Sequence, residues 1–165
     1  LSFLNQGFII LNFSSKLSVN NIFVLTQLIL IQIIYGTFTA ALDAGYMYTT
    51  FPLMDGTIIP FHLFADRGII ENLFYNPGSV QYIHRFLGVI LLTLSGIISL
   101  NRLKGKDFNS IDVKLSALIL FQFALGVLTL VSKMNIYFAV VHQVNACFIL
   151  LTCTQIIYQK HISNK

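Results

Sequence analysis

The sequence predicts an all-α membrane protein, a four-helix transmembrane bundle with one long outer loop, and three observations carry that reading. Only 10% of residues are charged and 56% are hydrophobic, with a mean hydropathy of +0.78, whereas a soluble domain holds about 25% charged residues. Four apolar segments, at about 21–42, 80–100, 115–131 and 136–158, reach or approach the length of roughly 20 residues that crosses a bilayer. The basic residues gather on one side of the topology those four segments imply, as short cytoplasmic loops do.

Segment 1–20 is the least determined. Leu1 to Phe13 is apolar but too short to span, and two readings stay open: the remnant of a truncated preceding helix, or an interfacial amphipathic terminus. No helix begins with a basic region and ends at a small-residue cleavage site, so no secretory signal is expected. Residues 21–165 then form the four-helix domain. Its first helix, about 21–42, carries Gln32, Gly36 and Thr39 along one face, and the third, about 115–131, repeats that spacing with Gln122, Gly126 and Thr129. Small and polar stripes of this kind let membrane helices pack closely, which is the first reading of both.

The outer loop, 43–79, far exceeds the 2–8 residues of an ordinary bundle connection, and such a length marks a functional cap. Phe51, Met54, Ile58, Ile59 and Phe74 give it apolar mass for the membrane surface or the bundle mouth. Pro52, Gly56 and Pro60 break it into turns, and His62 reads as a solvated loop histidine. Arg102, Lys104, Lys106 and Lys114 crowd the segment 101–114, Lys160 and Lys165 lie in the tail, and Lys16 precedes the first helix. Against them stand Arg67 alone in 43–79 and Lys133 alone in the turn 132–135. The N-terminus, middle loop and C-terminus therefore face the cytoplasm, or the matrix of an organelle. The net charge of +4 is accounted for by this topology, and no alternation of basic and aromatic residues offers a nucleic acid a stacking platform. Cys147 and Cys153 share the last helix at a spacing unsuited to a disulfide or a metal pair, and read as packing residues.

The chemistry concentrates in two histidines. His84, in Gln81-Tyr-Ile-His-Arg-Phe-Leu-Gly88, and His142, in Val140-Val-His-Gln-Val-Asn-Ala146, each lie a few residues into an apolar helix, where ionisable groups are costly and usually functional. If both helices are entered from the outer side, a rise of 1.5 Å per residue puts both imidazoles roughly 6–10 Å below the outer surface. Two imidazoles facing one another in a dry helical bundle are what a haem iron takes as axial ligands. Gly88, on the face of His84, would let a porphyrin approach the backbone, and Arg85 would pair with a haem propionate or with lipid headgroups. The ring nitrogens turned away from iron need acceptors, for which Gln81, Gln122, Gln143, Asn145 or a backbone carbonyl is available. Two neutral imidazoles leave the iron no open position, so such a haem moves electrons.

A family resemblance joins these pieces. Gly36-Thr-Phe-Thr-Ala-Ala-Leu-Asp-Ala-Gly45, Tyr48-Thr-Thr-Phe-Pro-Leu-Met-Asp-Gly56, Asn76-Pro77, Gln81-Tyr-Ile-His-Arg85, Gln122 with Leu125-Gly126 and Thr129, and His142-Gln143 resemble, in order and spacing, the second half of the haem A synthase family. Members have eight transmembrane helices in two similar halves. The resemblance implies that His84 and His142 bind haem b, with Arg85 and Gly88 beside it. The catalytic residues are then expected in the absent N-terminal half, which handles the haem O substrate. The implied reaction oxidises a methyl group of haem O to the formyl group of haem A for terminal oxidases. Implied partners are membrane lipid, an N-terminal half chain, haem O synthase, an electron acceptor or further copies of this chain, in a bacterial plasma membrane or the mitochondrial inner membrane. Two rivals remain: a bis-histidine membrane cytochrome b that only transfers electrons, and a scaffold whose histidines are merely hydrogen-bonded in the core.

Overall fold

The computed structural model describes residues 19–60, 68–104 and 110–163; the expectations for Leu1 to Phe13, Lys16, His62, Arg67, Lys106 and Lys165 lie outside them. Helix α1 (Val19–Ala41) leads through a 3-10 turn (Ala44–Tyr46) into the cap, whose short helix α2 (Ile69–Phe74) precedes α3 (Pro77–Lys104); α4 (Ile111–Val131) and α5 (Ile136–Ser163) follow. The stretches Asn21–Ala41, Pro77–Asn101, Ile111–Val131 and Ile136–Ile162 are long and apolar enough to cross a membrane. The chain is an integral membrane protein, and helices suit it because every backbone group is satisfied within its own segment. Thr26, Thr37 and Thr39 on α1 return their hydroxyls to the carbonyls of Ile22, Ile33 and Tyr35, so none is left bare in an apolar setting.

Polar caps start α3 and α4 upstream of their apolar windows. Asn76 Oδ1 accepts from the amide of Gly78 at 3.1 Å, with Pro77 at the first helical position, where its missing N–H costs nothing. Asn76 Nδ2 also donates to Asn72 Oδ1 at 3.0 Å, locking α2 to the head of α3. Ser110 Oγ accepts from the Val113 amide at 3.3 Å and Asp112 occupies the first turn, so α4 begins at Ile111 rather than at Leu115. Between α4 and α5 the chain reverses through Lys133 and Met134, both with positive φ. Asn135 Oδ1 then receives the Tyr137 amide at 3.0 Å.

Helix α1 packs on α3 and α5, and α4 packs on the same two, giving a ring with α1 opposite α4. The contiguous aliphatic core draws Ile22, Leu25 and Ile29 from the first half of α1 and Leu115 and Ile119 from the first half of α4. Its other members, among them Ile98 of α3 and Ile149 and Ile156 of α5, come mostly from the second halves of those helices. Because α1 and α4 run toward the cap and α3 and α5 away from it, these positions share one end of the bundle, the end remote from the cap. Val24, Ile34, Leu120, Val144 and Leu151 point outward, as lipid-facing residues must.

The cap is ordered by its own turns. Asp55 and Gly56 both have positive φ, and Met54 and Thr57 exchange backbone hydrogen bonds of 2.8 and 3.1 Å across them, the pattern of an Asp-Gly hairpin turn. Met54 is fully buried, while Ile58, Ile69 and Ile70 face outward. Gly45 lies directly against the side chain of Met134, leaving no room for a Cβ, so the end of α1 is docked on the α4–α5 turn.

Candidate functional site

His84 and His142 sit at matching depth, each about two helical turns from the capped end of its helix. Each imidazole lies on a glycine of the preceding long helix. A Cβ on Gly36 would stand 3.1 Å from His84 Cε1, and a Cβ on Gly126 would stand 3.1 Å from His142 Cε1. That is closer than side chains normally approach a Cβ, so α1 and α4 present bare backbone where the rings lie. Both rings lie on the cap side of the contiguous aliphatic cluster.

The polar groups around the rings include the glutamines of the two stripes. His142 Nδ1 is 3.1 Å from the backbone oxygen of Gln122. Gln122 is braced in turn by Asn145, a buried residue whose Nδ2 donates to Gln122 Oε1 at 2.8 Å and to the Leu118 carbonyl at 3.1 Å. Gln32 Nε2 donates at 3.0 Å to the backbone oxygen of His84 rather than to its ring. Gln32 Oε1 is buried without a hydrogen-bond partner among the described residues. Of the acceptors expected for the ring nitrogens, a backbone carbonyl is engaged, that of Gln122 by His142. Gln81 donates to Tyr48 O instead, and Gln143 is exposed.

Arg85 holds the cap. Its Nη1 donates to Thr50 O at 2.8 Å and its Nη2 to Tyr48 O, which also receives Gln81 Nε2 at 3.0 Å; Arg85 Nε is buried with no partner. One helical turn of α3 thus clamps the Tyr48 to Thr50 segment, and Phe51 next to it meets Phe123 of α4 edge-on at 5.8 Å. Gly88 lies against Gln32 and Phe123 rather than against an imidazole. Among the described residues no three His, Cys, Asp or Glu side chains gather as a bare metal ion would require. Cys147 is exposed and Cys153 is buried, and both are free thiols.

The family model described as cytochrome oxidase assembly protein, COX15-CtaA, matches residues 12–154. The chain belongs to that family. It is 42% identical over 121 residues to a protein of Wolbachia pipientis wMel named heme A synthase, an alignment that covers 73% of this chain and 33% of the relative. Proteins of the same name from Sinorhizobium fredii and Agrobacterium fabrum are 37% and 41% identical over 130 residues, covering 77% and 76% of this chain and 35% of each relative. The chain therefore spans about a third of the length of these curated relatives. No solved structure matches it.

In this family member the residues that sequence reasoning undervalued are Gly36, Gly126 and Gln32. They were visible as the recurring Gln, Gly and Thr stripe on α1 and α4, which reads as packing glue. The recurrence has a second content: at the glycine of each stripe the neighbouring helix lays a histidine ring. The stripe's threonines remain local, Thr39 bonding to Tyr35 O and Thr129 to Leu125 O.

Proposed function

We propose that this chain is the haem b-binding half of a haem A synthase, with His84 and His142 as the axial ligands. The observation that carries the reading is the pair of imidazoles at one depth beneath the cap, each seated on a glycine where the aliphatic core has ended. The donor set fits the group. Two imidazoles are too few for a bare ion but suffice for an iron that brings four porphyrin nitrogens with it, and each ring lies against bare helix backbone at a glycine, a cradle that a Cβ would fill. When bound, such a haem supplies one-electron transfer, with no open position for substrate.

The chain's own residues would do the rest. Gln122 and Asn145 orient His142, Gly36 and Gly126 give the rings room, and the Arg85 and Gln81 clamp keeps the cap over the mouth, limiting water. Oxidation of the haem O methyl group to a formyl group would occur on the part of the protein that the relatives have in addition, and electrons would leave through this half. The names of the relatives favour this over a purely electron-transferring cytochrome. The histidines and cap would face the outer side and the loop 101–114 the cytoplasm or matrix, which the distribution of Lys and Arg supports.

The test is an optical spectrum of the purified chain in detergent, oxidised and reduced, with acid extraction of the bound haem. A low-spin haem b is expected, lost from the low-spin state in both His84→Ala and His142→Ala. An unchanged low-spin spectrum in both variants would refute the axial pair. For orientation, Asp55→Cys should react with an impermeant maleimide from outside intact cells and Lys104→Cys only after permeabilisation; the reverse pattern would invert the topology.

A further inference from the structure

Helix α2 is held at the depth of the membrane spans while its outer face is left bare, and we propose that this face is a bilayer anchor. Ile69, Ile70 and Tyr75 seat the cap in the boundary between acyl chains and headgroups of the leaflet on the cap side. The depth is fixed by contacts to two different helices. Asn72 Oδ1 receives Asn76 Nδ2 at 3.0 Å and the hydroxyl of Ser79 at 3.4 Å, and Ser79 is the third residue of the span Pro77–Asn101. On the other side Phe74 meets Phe38 edge-on at 6.0 Å, and Phe38 stands inside the span Asn21–Ala41. A cap helix carried clear of the membrane could reach neither. The α3 span has 25 residues and covers about 37 Å at a rise of 1.5 Å per residue, against a hydrocarbon thickness of about 30 Å. Its first turn therefore lies at headgroup level, with α2 beside it.

The face of α2 turned from the bundle is apolar. Asn72, on the bundle side, is buried, whereas Ile69, Ile70 and Tyr75 are 79%, 69% and 67% exposed, along a shallow groove that Gly68 and Glu71 complete. At this depth the medium beside them is continuous with the lipid that meets the outward residues of the four long helices. Isoleucine gains by burial there, and the amphipathic ring of tyrosine favours the same level. Glu71 is the one charge on α2, which holds no Lys or Arg. The hold on lipid is therefore apolar rather than electrostatic, and indifferent to salt and to headgroup charge. With Arg85 tying Tyr48 and Thr50 to α3, the cap is fixed at one end to the bundle and at the other to the bilayer.

The chain contains no tryptophan, so Ile70→Trp and Tyr75→Trp each put a single fluorescent reporter on this face, and Leu151→Trp on α5 supplies a lipid-facing standard deep in the membrane. The full chain is reconstituted in phosphatidylcholine vesicles whose acyl chains are brominated near the headgroup, brominated toward the methyl end, or unbrominated. Both α2 reporters should be quenched more by the shallow bromines than by the deep ones, and little by acrylamide in the water. The ratios should not change with salt or on adding anionic lipid, and Leu151→Trp should show the opposite preference for depth. Quenching of the α2 reporters by acrylamide and not by bromine would put the face in water. Quenching by neither would mean that protein covers it, whether another segment or a second copy, and either result overturns the proposal. In the same vesicles the double variant Ile69→Ser, Ile70→Ser should speed amide exchange over residues 69–74 at least about tenfold, with α3 unaffected. Unchanged exchange would show that the face touches lipid without anchoring the cap, and would equally overturn it.

Discussion

At Gly36 and Gly126 the absent side chain lets an imidazole lie on the helix backbone. Alanine is favoured over glycine inside a helix by about 0.5–1 kcal/mol, a gain that displacement of the ring opposes, so Gly36→Ala and Gly126→Ala should change the stability of the bundle without haem by no more than about 1 kcal/mol. A Cβ 3.1 Å from the imidazole nevertheless forces the ring to move. Both variants should therefore lose low-spin haem. Haem content from the reduced spectrum, set beside thermal unfolding of the haem-free protein, separates the two effects. Undiminished haem in both variants would mean that the glycines serve helix packing alone.

Among the elements, the cap depends most on single contacts. Its Tyr48 to Thr50 segment is held by one turn of α3, where Gln81 and Arg85 reach the carbonyls of Tyr48 and Thr50. Hydrogen bonds from a charged donor contribute about 1.5–3 kcal/mol. Arg85→Ala should therefore raise the opening of this segment about tenfold or more, read as faster amide hydrogen exchange over residues 48–53, while the α5 amides exchange as before. Unchanged exchange would assign the hold to the Phe51 and Phe123 ring contact instead. The same clamp explains why Arg85 in this structure serves the loop.

For the whole molecule, stability should follow haem occupancy. The contiguous aliphatic cluster lies at the end remote from the cap, and toward the cap polar atoms of Gln32, Gln81 and Arg85 are buried without a hydrogen-bond partner among the described residues, each a cost in a low-dielectric interior. A ligand bound at a thousand times its dissociation constant adds about 4 kcal/mol, so the haem-loaded chain should unfold well above the haem-free chain in a detergent melt. Equal midpoints would show that the cap-side half is stable without a ligand. Apolar length and charge asymmetry are properties of successive residues, and for that reason the all-α membrane class, four spans, a long cap and the two suspect histidines could be read from the sequence by itself. Which carbonyl takes a ring nitrogen, that Arg85 clamps the cap, and that Gly36 and Gly126 rather than Gly88 lie beneath the imidazoles were decided only by the tertiary structure. Those contacts join residues remote in the chain, such as Gln32 and His84 at a separation of 52. Helical periodicity says which face a residue occupies, whereas the rotation and height at which two helices meet depend on the packing of the whole bundle.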